Sequence, residues 1–181
     1  MRNIEYKAEL RDPSLARAIL RALGATYILS FGQVDTYFRV PSGRLKRRET
    51  DDEPPEWIYY ERANQSGPKA SDFTILTEEQ ALERFGREPL PVWVVVKKRR
   101  ELWMFGSVRV HLDEVESLGN FFELESLVSR DCPDDKARAA LEHLRKGLAP
   151  VLGEPIDRSY SDLVSADHDD AAESRPGGAS A

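Results

Sequence analysis

Gly43-Arg44-Leu45-Lys46-Arg47-Arg48-Glu49 follows a turn signal, Pro41-Ser42-Gly43, and is almost entirely charged. Side chains alternate across a strand, so an extended reading puts Arg44, Lys46 and Arg48 on one face. Like charges on one face repel. Such a face is stable when water covers it, when acids pair it, or when it is built to hold an anion. A solvated edge strand, shielded from aggregation by its charge, reads the same way in isolation. The segments on either side decide between these readings.

Upstream, Asn3 to Leu10 alternates, with Ile4, Tyr6, Ala8 and Leu10 on one face and Asn3, Glu5, Lys7 and Glu9 on the other. Asp12-Pro13 starts a helix that carries an apolar stripe (Leu15, Ile19, Leu20, Leu23) and stops at Gly24. Ala25 to Val40 is a long β-type stretch with Gly32 as its expected bulge. Downstream, strands are expected over Trp57–Arg62, Lys69–Ile75, Leu90–Leu102, Val108–Val115 and Phe121–Val128. Thr77 and Gln80 have capping-box spacing ahead of a short helix ending at Gly86. Asp134–Leu148 is an amphipathic helix with Ala137, Leu141, Leu144 and Leu148 inward. A short closing segment runs from Ile156 to Val164. The stretch from Ser165 to Ala181 is acidic, rich in small residues and Gly, and is expected to be a disordered tail beyond a domain at 1–164.

These strands fall in hairpin order and carry charge on one face and apolar groups on the other. The expected fold is α+β, a closed antiparallel β-barrel of about eight strands with flanking helices. Its apolar face lies outward beneath the helices and its charged face inward, the reverse of an ordinary small barrel.

Hydrophobic residues make up 40% of the 181-residue chain and charged residues 32%, enough for a core within an unusually charged protein. The net charge of −6 disfavours general attraction to nucleic acid or to an anionic membrane. The basic residues are bunched, which points to local anion sites. Cys132 is the only cysteine, which excludes an intramolecular disulfide and a cysteine-rich zinc site and suits a reducing compartment. With no apolar leader or membrane-length apolar run, a cytoplasmic protein is expected.

The inward cations are Lys7, Arg44, Lys46, Arg48, Arg62, Lys98, Arg100 and Arg109, and the inward acids are Glu5, Asp113, Glu123 and Glu125. A lattice of ion pairs with no ligand is one way to house them. Glu123 and Glu125, two apart on one strand, crowd each other unless a cation lies between them. Oxygen donors of this kind suit Mg²⁺ or Mn²⁺. The surplus of cations over acids suits a polyanion, and a metal beside such a surplus suits a polyphosphate.

In series, the motifs resemble the CYTH superfamily, the triphosphate tunnel metalloenzymes, and within it the class IV adenylate cyclase-like branch. They are Asn3-Ile4-Glu5-Tyr6-Lys7, Asp35-Thr36-Tyr37-Phe38, Gly43-Arg44-Leu45-Lys46, Tyr60-Glu61-Arg62 and Gly67-Pro68-Lys69-Ala70-Ser71-Asp72. Lys97 to Trp103, His111-Leu112-Asp113-Glu114-Val115, Leu118-Gly119, Phe122-Glu123-Leu124-Glu125 and Ser159 to Leu163 continue them. The resemblance implies a triphosphate substrate, ATP among the candidates, in an eight-stranded tunnel with a divalent metal, Mg²⁺ or Mn²⁺. Carried over by position, Lys7, Arg44, Lys46, Lys98, Arg100 and Arg109 contact phosphates, with Arg62 and Lys69 as additions. Lys7 and Arg109 take catalytic roles. Glu5, Glu123 and Glu125 hold the metal, with Asp113 as a weaker ligand. A homodimer is compatible with the resemblance; nucleic-acid and membrane partners are not expected. The family motif Glu-x-Glu-x-Lys opens here on Asn3, which offers an oxygen without charge.

Conversion of ATP to cyclic AMP and pyrophosphate is the leading reading of the activity. Hydrolysis of inorganic triphosphate, thiamine triphosphate or a nucleoside triphosphate is the alternative, and a non-catalytic nucleotide or polyphosphate sensor is a third. His111 is in phase with Arg109 and Asp113 and reads as a lumen hydrogen-bonder rather than a general base. The tryptophans read as core or barrel girdle, Asp51 to Glu53 as a solvated turn, and Tyr160 as a floor of the tunnel or as packing.

Overall fold

Alternation along the first strand gives the molecule its two sides. In β1 (Arg2–Leu10), Ile4, Tyr6, Ala8 and Leu10 are buried in an outer apolar core, while Asn3, Glu5 and Lys7 line a central cavity. The computed structural model describes residues 2–61, 69–86 and 89–173. Within them, β2 (Thr26–Phe38), β3 (Arg44–Thr50), β4 (Glu56–Glu61), β5 (Lys69–Leu76), β6 (Val92–Phe105), β7 (Val108–Val115) and β8 (Gly119–Leu127) follow. The strand order is β5-β4-β3-β2-β6-β7-β8-β1, and antiparallel pairing of β1 with β5 closes the barrel. A short β9 (Leu152–Pro155), not foreseen in the sequence, pairs with the end of β1. Its Gly153 and Pro155 are poor strand formers, so the sequence signal is weak.

The helices cover the apolar outside. α1 (Pro13–Leu23) is capped by Asp12, whose side chain accepts from the Leu15 N–H, and ends at Gly24 in the left-handed region, φ 89°. α2 (Glu78–Phe85) has the expected capping box between Thr77 and Gln80. α3 (Asp134–Leu148) buries Ala137, Leu141, Leu144 and Leu148 against the barrel. Full burial of each such Leu stabilises by about 1.5–3 kcal/mol. No helix of the described residues is long and apolar enough to cross a membrane.

Two expectations change. Gly32 is not a bulge: it pairs in register with Arg99, and the irregularities of β2 fall at Tyr27/Leu29 and Tyr37/Phe38. Its lack of a Cβ matters for another reason. Gly32 N–H donates to Asp51 Oδ2 at 2.6 Å, and a Cβ would lie 2.9 Å from that oxygen. The chain is also still helical at Ser165, and the rest of the expected tail, residues 174–181, lies outside the described residues. α4 (Tyr160–Glu173) runs through that point, because helix-compatible Ala and Asp follow without a Gly or Pro to stop it.

One end of the barrel is filled. Tyr37, Tyr60, Val94, Val96, Val115 and Phe121 from the strands meet Tyr160 and Val164 of α4 in a second apolar cluster. α4 therefore seals this end, and Arg109, with 45% of its side chain exposed, marks the opposite mouth.

Candidate active site in the barrel

β3 contributes Lys46 and Arg48 to the interior, and β6 contributes Lys98 and Arg100. Alternation on each strand puts the two side chains of each pair on one face. Lys46, Arg48 and Lys98 converge on one acid, Asp35 of β2. Lys46 Nζ lies 3.0 Å and Lys98 Nζ 3.1 Å from Oδ2, and Arg48 Nε lies 2.7 Å from Oδ1. Burial opposes the charged form of Asp35, but Lys46, Lys98 and Arg48 outweigh it and hold the carboxyl well below its ordinary range. Burial lowers Lys46 to about 7, with Arg48 adding repulsion, and lowers Lys98 to about 8 despite Asp35. An anion entering here finds more positive charge than one carboxylate balances.

A second network joins β1, β6, β7 and β8. Glu123 Oε1 lies 3.1 Å from Lys7 Nζ, and Glu123 Oε2 accepts from Arg100 Nη2 at 2.6 Å. Arg100 also grips Asp113 through two bonds of 2.6 Å. The Tyr160 hydroxyl donates to Asp113 Oδ2 at 2.8 Å, and Lys7 Nζ sits 3.9 Å above the Tyr160 ring. Tyr160 is thus the floor of the cavity as well as packing. Burial raises Glu123, but Lys7, His111 and Arg100 more than reverse it and keep it a carboxylate.

The cavity is about 280 Å³. Of the residues expected to contact phosphates, Lys7, Lys46, Lys98, Arg100 and Arg109 line it; of the expected metal ligands, Glu5, Glu123 and Glu125 do. Glu5 and Glu125 face each other across β1 and β8. Arg62 and the side chain of Lys69 lie outside the described residues. Two expected site residues stand apart from the lining. Asp113 is buried behind it, with both oxygens engaged by Arg100 and Tyr160, so it acts as a buttress for Arg100. Arg44 turns to the sealed end, where it donates to Ser159 and pairs with Asp162 at 2.9 Å. Ser159 and Asp162 bond each other reciprocally in a capping-box pattern at the start of α4, which places an acid where Arg44 can reach it.

Sequence reasoning missed the role of Asp35. Its in-phase relation to Tyr37 on β2 was available as a signal, but its three partners come from long-range pairing. His111 lies beside Glu123, as a lumen group would, but short of a full hydrogen bond. Its Nδ1 is buried without a hydrogen-bond partner among the described residues, 3.7 Å from Glu123 Oε2. One donor atom from each of His111, Glu123 and Glu125 lies within 4.8 Å of the others. Asn3 Oδ1, on the cavity wall, is likewise buried and unpartnered among the described residues. These donors fit a divalent cation: carboxylates for charge, and polar atoms still lacking a partner.

A family model described as the CYTH domain matches residues 1–153. The chain belongs to the CYTH family. Relatives agree over nearly the whole CYTH chain. A Methanocaldococcus jannaschii protein named “putative adenylate cyclase” is 25% identical over 182 residues, 90% of this chain and 98% of that protein. The solved structure of PH1012 from Pyrococcus horikoshii has a TM-score of 0.71 at 24% identity, covering 89% of this chain and 98% of that one. A Hippeastrum protein, described as a “putative adenylyl cyclase” with a dominant triphosphatase activity, has a TM-score of 0.60 at 14% identity, covering 92% of this chain and 96% of that one. These structural likenesses show the CYTH fold.

Proposed function

We propose that this CYTH barrel binds a triphosphate and cleaves one of its phosphoanhydride bonds with the help of a divalent metal, in an adenylate cyclase-like reaction that turns ATP into cyclic AMP and pyrophosphate. The observation that carries this reading is the convergence of six cations, Lys7, Lys46, Arg48, Lys98, Arg100 and Arg109, on the wall of one cavity whose acids are Glu5, Asp35, Glu56, Glu123 and Glu125. A triphosphate needs that density of positive charge, and its cleavage needs charge stabilisation more than covalent chemistry.

Mg²⁺ or Mn²⁺ held by Glu5, Glu123 and Glu125 would neutralise charge on the leaving phosphates. The chain does the rest. Lys46, Arg48 and Lys98 bind phosphate oxygens in place of part of their contact with Asp35. Asp113 and Tyr160 hold Arg100 and the base of the cavity rigid. Lys7 and Arg109 oppose negative charge that develops at the reacting phosphate. In the cyclase reaction the ribose 3′-oxygen bonds to the α-phosphorus and the bond to the β-bridging oxygen breaks, so pyrophosphate leaves and the 3′ proton passes to solvent or a basic side chain.

A triphosphatase is the second reading. It is supported by the activity ascribed to the Hippeastrum protein and by a cavity that needs no nucleoside to fill its charged part. Incubation with ATP and Mn²⁺ followed by chromatography separates the readings. Cyclic AMP with pyrophosphate supports the cyclase. ADP with phosphate, or turnover of inorganic triphosphate, supports the hydrolase. Binding without turnover of any triphosphate overturns both and leaves a sensor.

A further inference from the structure

We infer that His111 is an inner ligand of the metal site, and that its nitrogen makes the site selective for a first-row transition ion over Mg²⁺. The inference rests on the reading that the acids of the cavity hold a divalent ion.

Two ligands on a common ion of this size are separated by at most about 4.2 Å. The observed limit of 4.8 Å among His111, Glu123 and Glu125 therefore needs only a small closing of side chains. The histidine is 4% exposed, and no group among the described residues satisfies its Nδ1. A buried, unpartnered polar atom is rare in a folded protein and calls for an occupant. It points at Glu123 Oε2, 3.7 Å away.

The contacts already made by the acids leave room for an ion. Lys7 takes Glu123 Oε1 and Arg100 takes Oε2, yet a carboxylate offers about four lone-pair positions. Glu125 pairs with Arg109 only at long range, 4.0 Å. The two cations on Glu123 weaken its hold on any metal, which raises the weight of a neutral donor. An imidazole nitrogen at His111 then supplies ligand type in place of charge. Mg²⁺ demands hard oxygen donors, whereas imidazole suits Mn²⁺ less well than the later ions but far better than it suits Mg²⁺.

The test uses the full chain with Mn²⁺ alone, without nucleotide. Electron paramagnetic resonance gives the Mn²⁺ affinity, competition gives that of Mg²⁺, and pulsed measurements read coupling to ¹⁴N. The wild type is expected to bind Mn²⁺ at least about tenfold more tightly than Mg²⁺ and to show nitrogen coupling. In His111→Gln the coupling disappears, which assigns it to His111 rather than His143 or His168, and Mn²⁺ affinity falls by about 10–100-fold. Mg²⁺ affinity stays near the wild-type value. Bound Mn²⁺ without nitrogen coupling in the wild type overturns the inference with no need of a variant, as does an absence of Mn²⁺ binding. Nitrogen-coupled Mn²⁺ in a protein that turns over no triphosphate sinks the proposed activity and leaves the ligand assignment standing. Metal-dependent turnover without coupling does the reverse.

Discussion

Asp35 and Lys98 form an ion pair buried in the barrel, Nζ to Oδ2 3.1 Å, with 1% and 2% of their side chains exposed. Lys46 and Arg48 share the same carboxylate. Removing the charge of Asp35 would leave its three cations facing one another. Asp35→Asn is expected to destabilise the protein by about 3–5 kcal/mol, read by urea unfolding. Added triphosphate should restore part of the loss by taking the place of the acid. Stability equal to wild type without ligand would mean that water, not Asp35, relieves the cluster.

Proton uptake should accompany triphosphate binding. Lys46 near 7 and Lys98 near 8 are partly neutral in the free protein above neutral pH, and a phosphate favours their charged forms. Affinity therefore falls as pH rises through these values. Calorimetry in buffers of different ionisation enthalpy reads the uptake directly; a pH-independent affinity with no uptake contradicts the placement of phosphate on these lysines. The unliganded fold moves the other way. Both lysines titrate near 10.5 when unfolded, so between about 7 and 10.5 the unfolded chain binds more protons and this contribution raises stability with pH.

Glu123→Gln removes a carboxylate from the donor set and unbalances Lys7 and Arg100. Metal-dependent turnover of ATP is expected to fall by about 10²–10³, the usual effect of losing one electrostatic group at a reacting centre. Steady-state kinetics at saturating Mn²⁺ decide it. Wild-type turnover in this variant would remove Glu123 from the site.

Arg44→Ala should act on α4 rather than on the substrate. Its bonds to Ser159 and Asp162 tie β3 to the start of that helix. Hydrogen bonds to a charged group support a loss of about 2 kcal/mol in unfolding free energy. KM for the triphosphate is expected to stay close to wild type. A large rise in KM with unchanged stability would return Arg44 to the phosphate site.

Period-two alternation made β1 and β7 legible, because each has one apolar face under helices and one polar face inside. The bounds of α3 and its buried stripe Ala137, Leu141, Leu144 and Leu148 were equally plain, since the 3.6-residue period is uninterrupted. The expectation at Gly32 failed because a glycine in a strand signals close approach as readily as a bulge, and Asp51 arrives from a distant turn. In the site, strand phase brought Lys7, Lys46, Lys98, Arg100, Glu5, Glu123 and Glu125 to one cavity. Phase could not say how deep along the barrel each would lie. That is why Arg44, in phase with Lys46, ends beside Ser159, and why Asp113, in phase with Arg109, ends behind Arg100. Asp35 was hidden for the same reason: its meaning lies in partners from β3 and β6.

The seal made by Tyr160 and Val164 turns the barrel into a blind sleeve. Cargo has one door. If the proposed cyclase reaction runs there, a nucleotide entering phosphates first keeps its sugar nearest the exit, so cyclic AMP would depart first and pyrophosphate, lodged at the bottom, would depart last. In that order pyrophosphate would block the next ATP as a competitive inhibitor, and its clearance, rather than bond breaking, would set the pace wherever it accumulates.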